Sequence, residues 1–253
     1  MAGGNKKSEY RNELIAEKLD RVNLTNAEGP ERNRKDPRRG PGGKPERLYQ
    51  WGHHQNHGAG RLQGGGKMKI YTIIGGVNGV GKSSFTGVLK ERSTDLGVIV
   101  DVDRITAELG GNALAGGKAA LRKINDCIDK GISFTQETTL SGRKTEATAK
   151  QVKELGYHVR LFYIGLDTAE ESLSRIANRV KRGGHDIPQD DVVRRFAGRW
   201  EAVSKVLPYC DEAEFYDNDN GFVLVAEYRN GELRTVGNRR PQWLMELLQY
   251  LDT

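Results

Sequence analysis

The sequence predicts an α/β fold: a mostly parallel five-stranded sheet flanked by helices, with a helical arginine-rich segment and a C-terminal hairpin plus helix. Three observations lead there. From Met68 onward, short runs rich in β-branched and aromatic residues alternate with helix-period segments, the pattern of a parallel sheet wrapped by helices. A glycine-rich turn, residues 76–81, joins the first apolar run directly to a helix-forming one. The chain of 253 residues is long enough for one substantial core plus an appendage.

The elements follow in order. Residues 69–74 form an apolar strand, and 82–92 the helix after it. Strand two is 97–102, ending in Asp101 and Asp103, with a short helix expected over 105–109. Residues 113–130 are helical, and strand three, 132–135, runs into Glu137. A helix over 145–155 precedes strand four at 158–164. Asp167-Thr168-Ala169-Glu170 reads as the N-cap of a helix over 168–181, with Glu170 and Glu171 in its first turn. After Gly183-Gly184-His185-Asp186-Ile187-Pro188 comes one helix over 189–206, then strand five near 214–216. Residues 222–228 and 232–236 pair as a hairpin turning at Asn230-Gly231, and a helix over 243–251 closes the chain.

Residues 1–67 differ in kind. They hold 14 Lys/Arg against 8 Asp/Glu and carry the whole net charge of +6, while residues 68–253 hold 26 of each sign. The chain is therefore a basic arm on a charge-balanced domain, and the domain boundary falls at Met68, which itself reads as a natural start. Within the arm only 9–22 has helical spacing, through Leu14, Ile15, Leu19 and Val22. The Gly-, Pro- and Arg-rich remainder lacks the apolar area to offset its ordering entropy and is expected to be flexible. Cys127 and Cys210 are not in a ligand-like or paired spacing, so no disulfide framework is expected. No apolar run approaches the length that spans a bilayer, and the N-terminus lacks a secretory apolar segment. A soluble, cytoplasmic protein is the expectation.

Gly76-Val77-Asn78-Gly79-Val80-Gly81-Lys82-Ser83 satisfies G-x-x-x-x-G-K-[ST], followed by Ser84. The preceding strand and following helix are the context that a phosphate-binding P-loop requires. Glycines allow backbone N–H groups to point inward at phosphate oxygens, and the helix N-terminus adds partial positive charge. Lys82 supplies a point charge for the β- and γ-phosphates, and Ser83 a hydroxyl for Mg²⁺. A P-loop fold binding a nucleoside triphosphate follows.

The remaining residues narrow the class. A guanine-specifying N-K-x-D is absent, and no strand ends in the Asp-Glu of a motor ATPase. A kinase acting on small molecules needs a carboxylate for the acceptor hydroxyl, a pocket at the carboxyl edge of the sheet, and cations over the moving phosphoryl. Asp101 and Asp103 sit at such an edge, with helix capping the competing role for one of them. Glu137-Thr138-Thr139-Leu140-Ser141 ends strand three with a polar run that faces a ligand or water. Arg175, Arg179, Arg182, Arg194, Arg195 and Arg199 surround the Gly183-Gly184 break, where two helices form a credible lid. Arg179 and Arg195, one on either side of that break, are the first choices for phosphate.

Together the P-loop, the D-x-D of Asp101 and Asp103, the ETTLSG from Glu137, and R-V-x-x-G-G-H-x-I-P-x-x-x-V-x-R-R-F from Arg179 to Phe196 resemble the zeta-toxin-like P-loop kinases, over Met68 to Asn218. The resemblance implies transfer of the ATP γ-phosphate, with Mg²⁺, to a sugar hydroxyl of UDP-N-acetylglucosamine, and hence a toxin held in check by an antitoxin. It further implies that Lys82 and Ser83 hold phosphate and metal, and that Asp103 is the base. Glu137 and Thr139 would grip the sugar, and Arg179 and Arg195 would clamp the phosphates. This sequence departs from the best-known members at Thr138, where they have glycine, and at Ser141-Gly142, where they carry an arginine; both positions fall in the sugar pocket.

Three readings of the arm stand beside one another: a segment inhibiting the ATP site in cis, a polyanion-binding tail, and a solvated or appended tail. Its sparse aromatics, with only Tyr49 and Trp51 near its end, disfavour nucleic acid as partner. His53, His54 and His57 lack nearby carboxylates or thiols and read as a polar run, not a metal site. Other small-molecule kinases, or a nucleotide-dependent switch, are the alternatives to a nucleotide-sugar kinase.

Overall fold

The computed structural model describes residues 68–92 and 94–252. The basic arm, its 9–22 helix and the histidine run lie outside the described residues. One seven-stranded sheet runs in the order β2-β3-β1-β4-β5-β6-β7. Its strands are β1 (Ile70–Gly75), β2 (Val98–Asp101), β3 (Phe134–Thr138), β4 (His158–Gly165), β5 (Glu212–Asp217), β6 (Val223–Arg229) and β7 (Glu232–Thr235). The first five are parallel and the last two antiparallel. Seven strands replace the expected five because the hairpin joins the sheet. Its pairing with β5 satisfies backbone N–H and C=O groups that would otherwise form an open edge.

The helices are α1 (Lys82–Glu91), α2 (Val102–Glu108), α3 (Ala113–Asp129), α4 (Lys144–Glu154), α5 (Ala169–Val180), α6 (Gln189–Ala197), α7 (Arg199–Val206) and α8 (Gln242–Leu251). Two expectations needed correcting here. The single helix over 189–206 is broken at Gly198, which ends α6 and begins α7. The cap of α5 is Thr168, whose hydroxyl accepts from Glu171 N at 3.1 Å. Asp167 instead accepts from Trp243 N at 2.9 Å, serving the start of α8 where Pro241 offers no side-chain acceptor.

Alternation along the strands sends their side chains into two layers. Tyr71 and Ile73 of β1 join Ile124 of α3, Val152 of α4, Val203 of α7 and Leu247 of α8 in one cluster. Ile74 points the other way, to Phe85 and Leu89 of α1, Phe162, Tyr216 and Phe222. Cys127 and Cys210 are both buried and free. Among the described residues no helix is long and apolar enough to cross a membrane.

Trp243 fixes the C-terminal helix. It is fully buried, its indole N–H donates to Asp217 Oδ1 at 2.8 Å, and its ring lies against Gly165 at the end of β4. A Cβ at Gly165 would fall 2.2 Å from Trp243 Cε2. Gly165→Ala is therefore expected to destabilise by about 1–3 kcal/mol or more, read as a lower denaturant midpoint with unchanged m.

At the N-terminal ends of β4 and β5, Glu212 Oε1 accepts from His158 Nε2 at 3.2 Å and Arg229 Nη1 donates to its other oxygen at 2.6 Å. The His158 hydrogen bond, with Arg229 adding to it, brings the carboxyl down to about 2. Because the folded value lies below the unfolded one, this stabilisation is complete above the ordinary glutamate range and is lost as pH falls toward 2. Glu212→Gln should lower the melting temperature at neutral pH and flatten its decline in acid, measured by thermal scans across pH.

Candidate active site

β1, β2, β3 and β4 all deliver their C-terminal ends to one edge, and β1 lies where the chain order reverses, between β3 and β4. A cleft of 430 Å³ opens there. Positive φ at Gly76 (146°), Gly79 (75°) and Gly81 (96°) lets residues 76–81 turn back onto the start of α1. Gly79 also has no room for a side chain, since a Cβ would fall 2.8 Å from Ser172 O of α5. The Ser172 hydroxyl donates to Asn78 O at 2.6 Å, so α5 is fastened to the loop.

Lys82 Nζ donates to Gly76 O at 2.9 Å and Val77 O at 3.1 Å. Burial lowers its affinity for the proton, and the charges of Asp103, Glu137 and Asp101 oppose that fall. Gly79, Gly81, Lys82, Ser83 and Ser84 line the cleft together with the Asn78 side chain. Val80 turns into the apolar layer below, where its carbonyl accepts from Asn218 Nδ2 at 2.8 Å. Gly76 contributes its carbonyl to Lys82.

The two aspartates separate by role. Asp101 caps α2, its Oδ1 accepting from Arg104 N at 3.0 Å. Asp103, in the first turn of α2, is exposed, lines the cleft, and has no hydrogen-bond or ion-pair partner among the described residues. Helix capping thus accounts for Asp101, and Asp103 is the carboxylate left available.

Glu137, which the resemblance implies would grip the sugar, lines the cleft. Its carboxylate is buried behind the P-loop, accepting from Ser83 Oγ at 2.8 Å and from Thr86 Oγ1 at 2.6 Å. Burial raises its pKa and the Thr86 hydrogen bond opposes that rise. β3 pairs directly with β1, which brings Glu137 level with Ile74, two residues before the loop. Beyond it the chain turns sharply at Leu140, a buried residue at φ 60°, with Leu140 N donating to Thr138 Oγ1 at 3.0 Å. That turn puts Thr138, Thr139 and Ser141 on the cleft wall, with 2.7 Å between the hydroxyls of Thr139 and Ser141.

The six arginines divide. Arg175, Arg179 and Arg195 line the cleft. Arg195 Nη1 donates to Asn78 Oδ1 at 3.1 Å, and Arg179 Nη2 to His185 O at 2.6 Å. Gly184 is required beside Arg179, whose Cγ would be 2.5 Å from a Cβ there. Arg175 Nη2 donates to Glu171 Oε1 at 2.5 Å and Asn218 O at 2.6 Å. Arg194 is turned outward onto Asp191. Arg182 borders an adjoining recess, not the cleft. Arg199 is not a lid residue at all: its guanidinium lies between Phe196 (3.8 Å) and Trp200 (4.3 Å) and pairs with Glu246.

Sequence reasoning missed several cleft residues. Arg175 is not among them: the sequence already places it in the arginine group, though not as a first choice for phosphate, and it stands four residues before Arg179 on the same helical face. Gln136 and Lys144, and the α3 wall of Gly117, Leu121 and Ile124, carry no motif, and neither does Thr86, which holds Glu137 without lining the cleft. Among the described residues no cluster of three or more His, Cys, Asp or Glu could hold a metal ion. What stands at the loop is an oxygen-only set, the Ser83 hydroxyl backed by the Glu137 carboxylate, which suits a hard cation such as Mg²⁺ that keeps most of its ligands as water and phosphate.

Comparison with known proteins finds relatives in sequence and in fold. The family model described as zeta toxin matches residues 117–227. An uncharacterised protein of Haemophilus influenzae is 33% identical over 126 residues, covering 48% of this chain and 88% of that protein. Among solved structures, one from the PezAT chromosomal toxin-antitoxin system of Streptococcus pneumoniae superposes with a TM-score of 0.50 at 19% identity, over 78% of this chain and 90% of its own. The AvrRxo1-ORF1:AvrRxo1-ORF2 complex gives 0.54 with sulphate ions and 0.52 with ATP, each at 18% identity and covering 72% of this chain and 63% of that one. At these identities the structures speak for the fold, which they share with this chain. The sequence matches and the P-loop converge on one assignment: the chain belongs to the zeta toxin family.

Proposed function

We propose that this chain is an ATP-dependent phosphotransferase acting on a hydroxyl of a nucleotide sugar, UDP-N-acetylglucosamine first among candidates, as the toxin of a toxin–antitoxin pair. The observation that carries the reading is the presence in one cleft of a P-loop lysine, three arginines and an exposed carboxylate, Asp103, that has no partner among the described residues. Phosphate-binding cations alone would suit any nucleotide switch. An added carboxylate free to take a proton suits transfer to an alcohol.

In this reading Lys82, the loop N–H groups and the N-terminus of α1 hold the β- and γ-phosphates. Ser83, with Glu137 behind it, would hold Mg²⁺, which neutralises charge on the phosphate oxygens when bound. The acceptor oxygen forms a bond to the γ-phosphorus while the bond to the β-γ bridging oxygen breaks, ADP leaves, and the hydroxyl proton passes to Asp103. Arg175, Arg179 and Arg195 compensate the charge on the moving group. Asn218 and Phe222, beside Gly81 on the other side of the loop, are placed to border the nucleoside. Support for ATP as donor comes from the AvrRxo1 complex solved with ATP, and for an antitoxin partner from the PezAT system.

The full chain incubated with ATP, Mg²⁺ and UDP-N-acetylglucosamine should yield a product heavier by one phosphoryl group in mass spectrometry. Asp103→Asn should lower kcat by about 100-fold or more with little change in the KM for ATP. Lys82→Ala should impair both ATP binding and turnover, and should relieve growth arrest on expression. Transfer at the parental rate by either variant would overturn the reading.

A further inference from the structure

Two donors lining the cleft, the Gln136 amide nitrogen and the Lys144 ammonium, have no partner among the described residues. Gln136 of β3 is buried, 6% exposed, yet lines the cleft. Its Oε1 accepts from the Tyr71 hydroxyl at 2.5 Å. Burial pushes the Tyr71 phenol upward, so it stays protonated and hands its hydrogen to the carboxamide oxygen. The amide is thereby oriented, and Nε2 is the half left to face a ligand.

Lys144 lines the same cleft and is exposed, with no ion-pair or hydrogen-bond partner among the described residues. It opens α4, where a cation opposes the helix dipole, and the cap residue before it is Arg143. Two positive residues at a helix N-terminus work against local stability, so a purely structural reason for Lys144 is lacking. Across the cleft on α3, Gly117 has no side chain to block it: Lys144 Nζ stands 3.8 Å from where a Cβ there would be. Of the carboxylates that line the cleft with it, Asp101 and Glu137 are engaged with Arg104 N and with Ser83 and Thr86, and Asp103 is the proposed base.

We infer that Lys144 selects a negatively charged acceptor, binding a phosphate oxygen of it in the gap over Gly117 with the oriented amide of Gln136 donating alongside. A sugar carrying a nucleoside diphosphate fits this cleft, and the free neutral sugar leaves the ammonium unmatched. The inference rests on the phosphotransferase reading for its choice of ligand, and concerns a specificity-determining residue, not a catalytic one.

Calorimetric titration of the full chain with UDP-N-acetylglucosamine, N-acetylglucosamine 1-phosphate and N-acetylglucosamine, alongside steady-state kinetics with each, tests it. Lys144→Ala should weaken binding of the two anionic ligands about ten- to a hundredfold, as expected for loss of one charge-assisted hydrogen bond. Its kcat at saturation and its KM for ATP should hold, Lys144→Arg should recover most of the loss, and Lys144→Glu should deepen it. Equal affinity of Lys144→Ala and the parent for the anionic ligands, or equal use of the neutral sugar by the parent, would overturn the inference. Lys144-dependent binding without phosphoryl transfer would uphold it while defeating the proposed activity. Absence of binding by all three ligands would end both.

Discussion

The arrangement depends on how closely α5 approaches the P-loop. Ser172 holds the Asn78 carbonyl at 2.6 Å, and Gly79 lies where a Cβ would be 2.8 Å from Ser172 O. One helix thereby sets the curvature of the phosphate-binding turn and presents two arginines to it. Arg175 extends the same contact to Asn218, whose amide reaches back to Val80 O. Phosphate loop, arginine helix and the segment after β5 are thus coupled over very few bonds. A glycine at position 79 serves two ends: φ of 75° in the turn and clearance for a neighbouring helix.

Much of this was legible in the sequence because it is local. Spacing within G-x-x-x-x-G-K-S, strand–helix alternation and the Gly183-Gly184 break are short-range signals, and each corresponds to an element near its expected bounds. Helix capping for one aspartate of the Asp101/Asp103 pair was equally readable, since an Asp preceding a short helix is a favoured cap. Even the break at Gly198 had its signal, a glycine inside an otherwise continuous helical pattern.

The parts that were not legible depend on pairings between distant segments. Glu137 is drawn behind Ser83 by the register of β3 on β1, which a motif at the end of a strand does not specify. Arg199 belongs to the core because Phe196, Trp200 and Glu246 surround it, and Glu246 comes from the last helix, far along the chain. Counting the hairpin into the sheet needed knowledge of the free side of β5. Gln136 becomes informative only once Tyr71, 65 positions earlier, is seen to orient it.

The outermost strand has an implication for how the molecule behaves in company. β7 spans four residues, Glu-Leu-Arg-Thr, with Glu232, Arg234 and Thr235 exposed and Glu232 paired to Arg234 along the rim. An uncovered ladder invites a second chain to dock strand to strand, and a brief, charged border offers such a visitor few bonds and a desolvation penalty. β2 at the far side is as short and ends in Asp101, whose carboxylate is already committed to its own helix. The β7 flank therefore discourages fibril-like stacking through its charges, and the β2 flank offers a visitor only four residues to pair with.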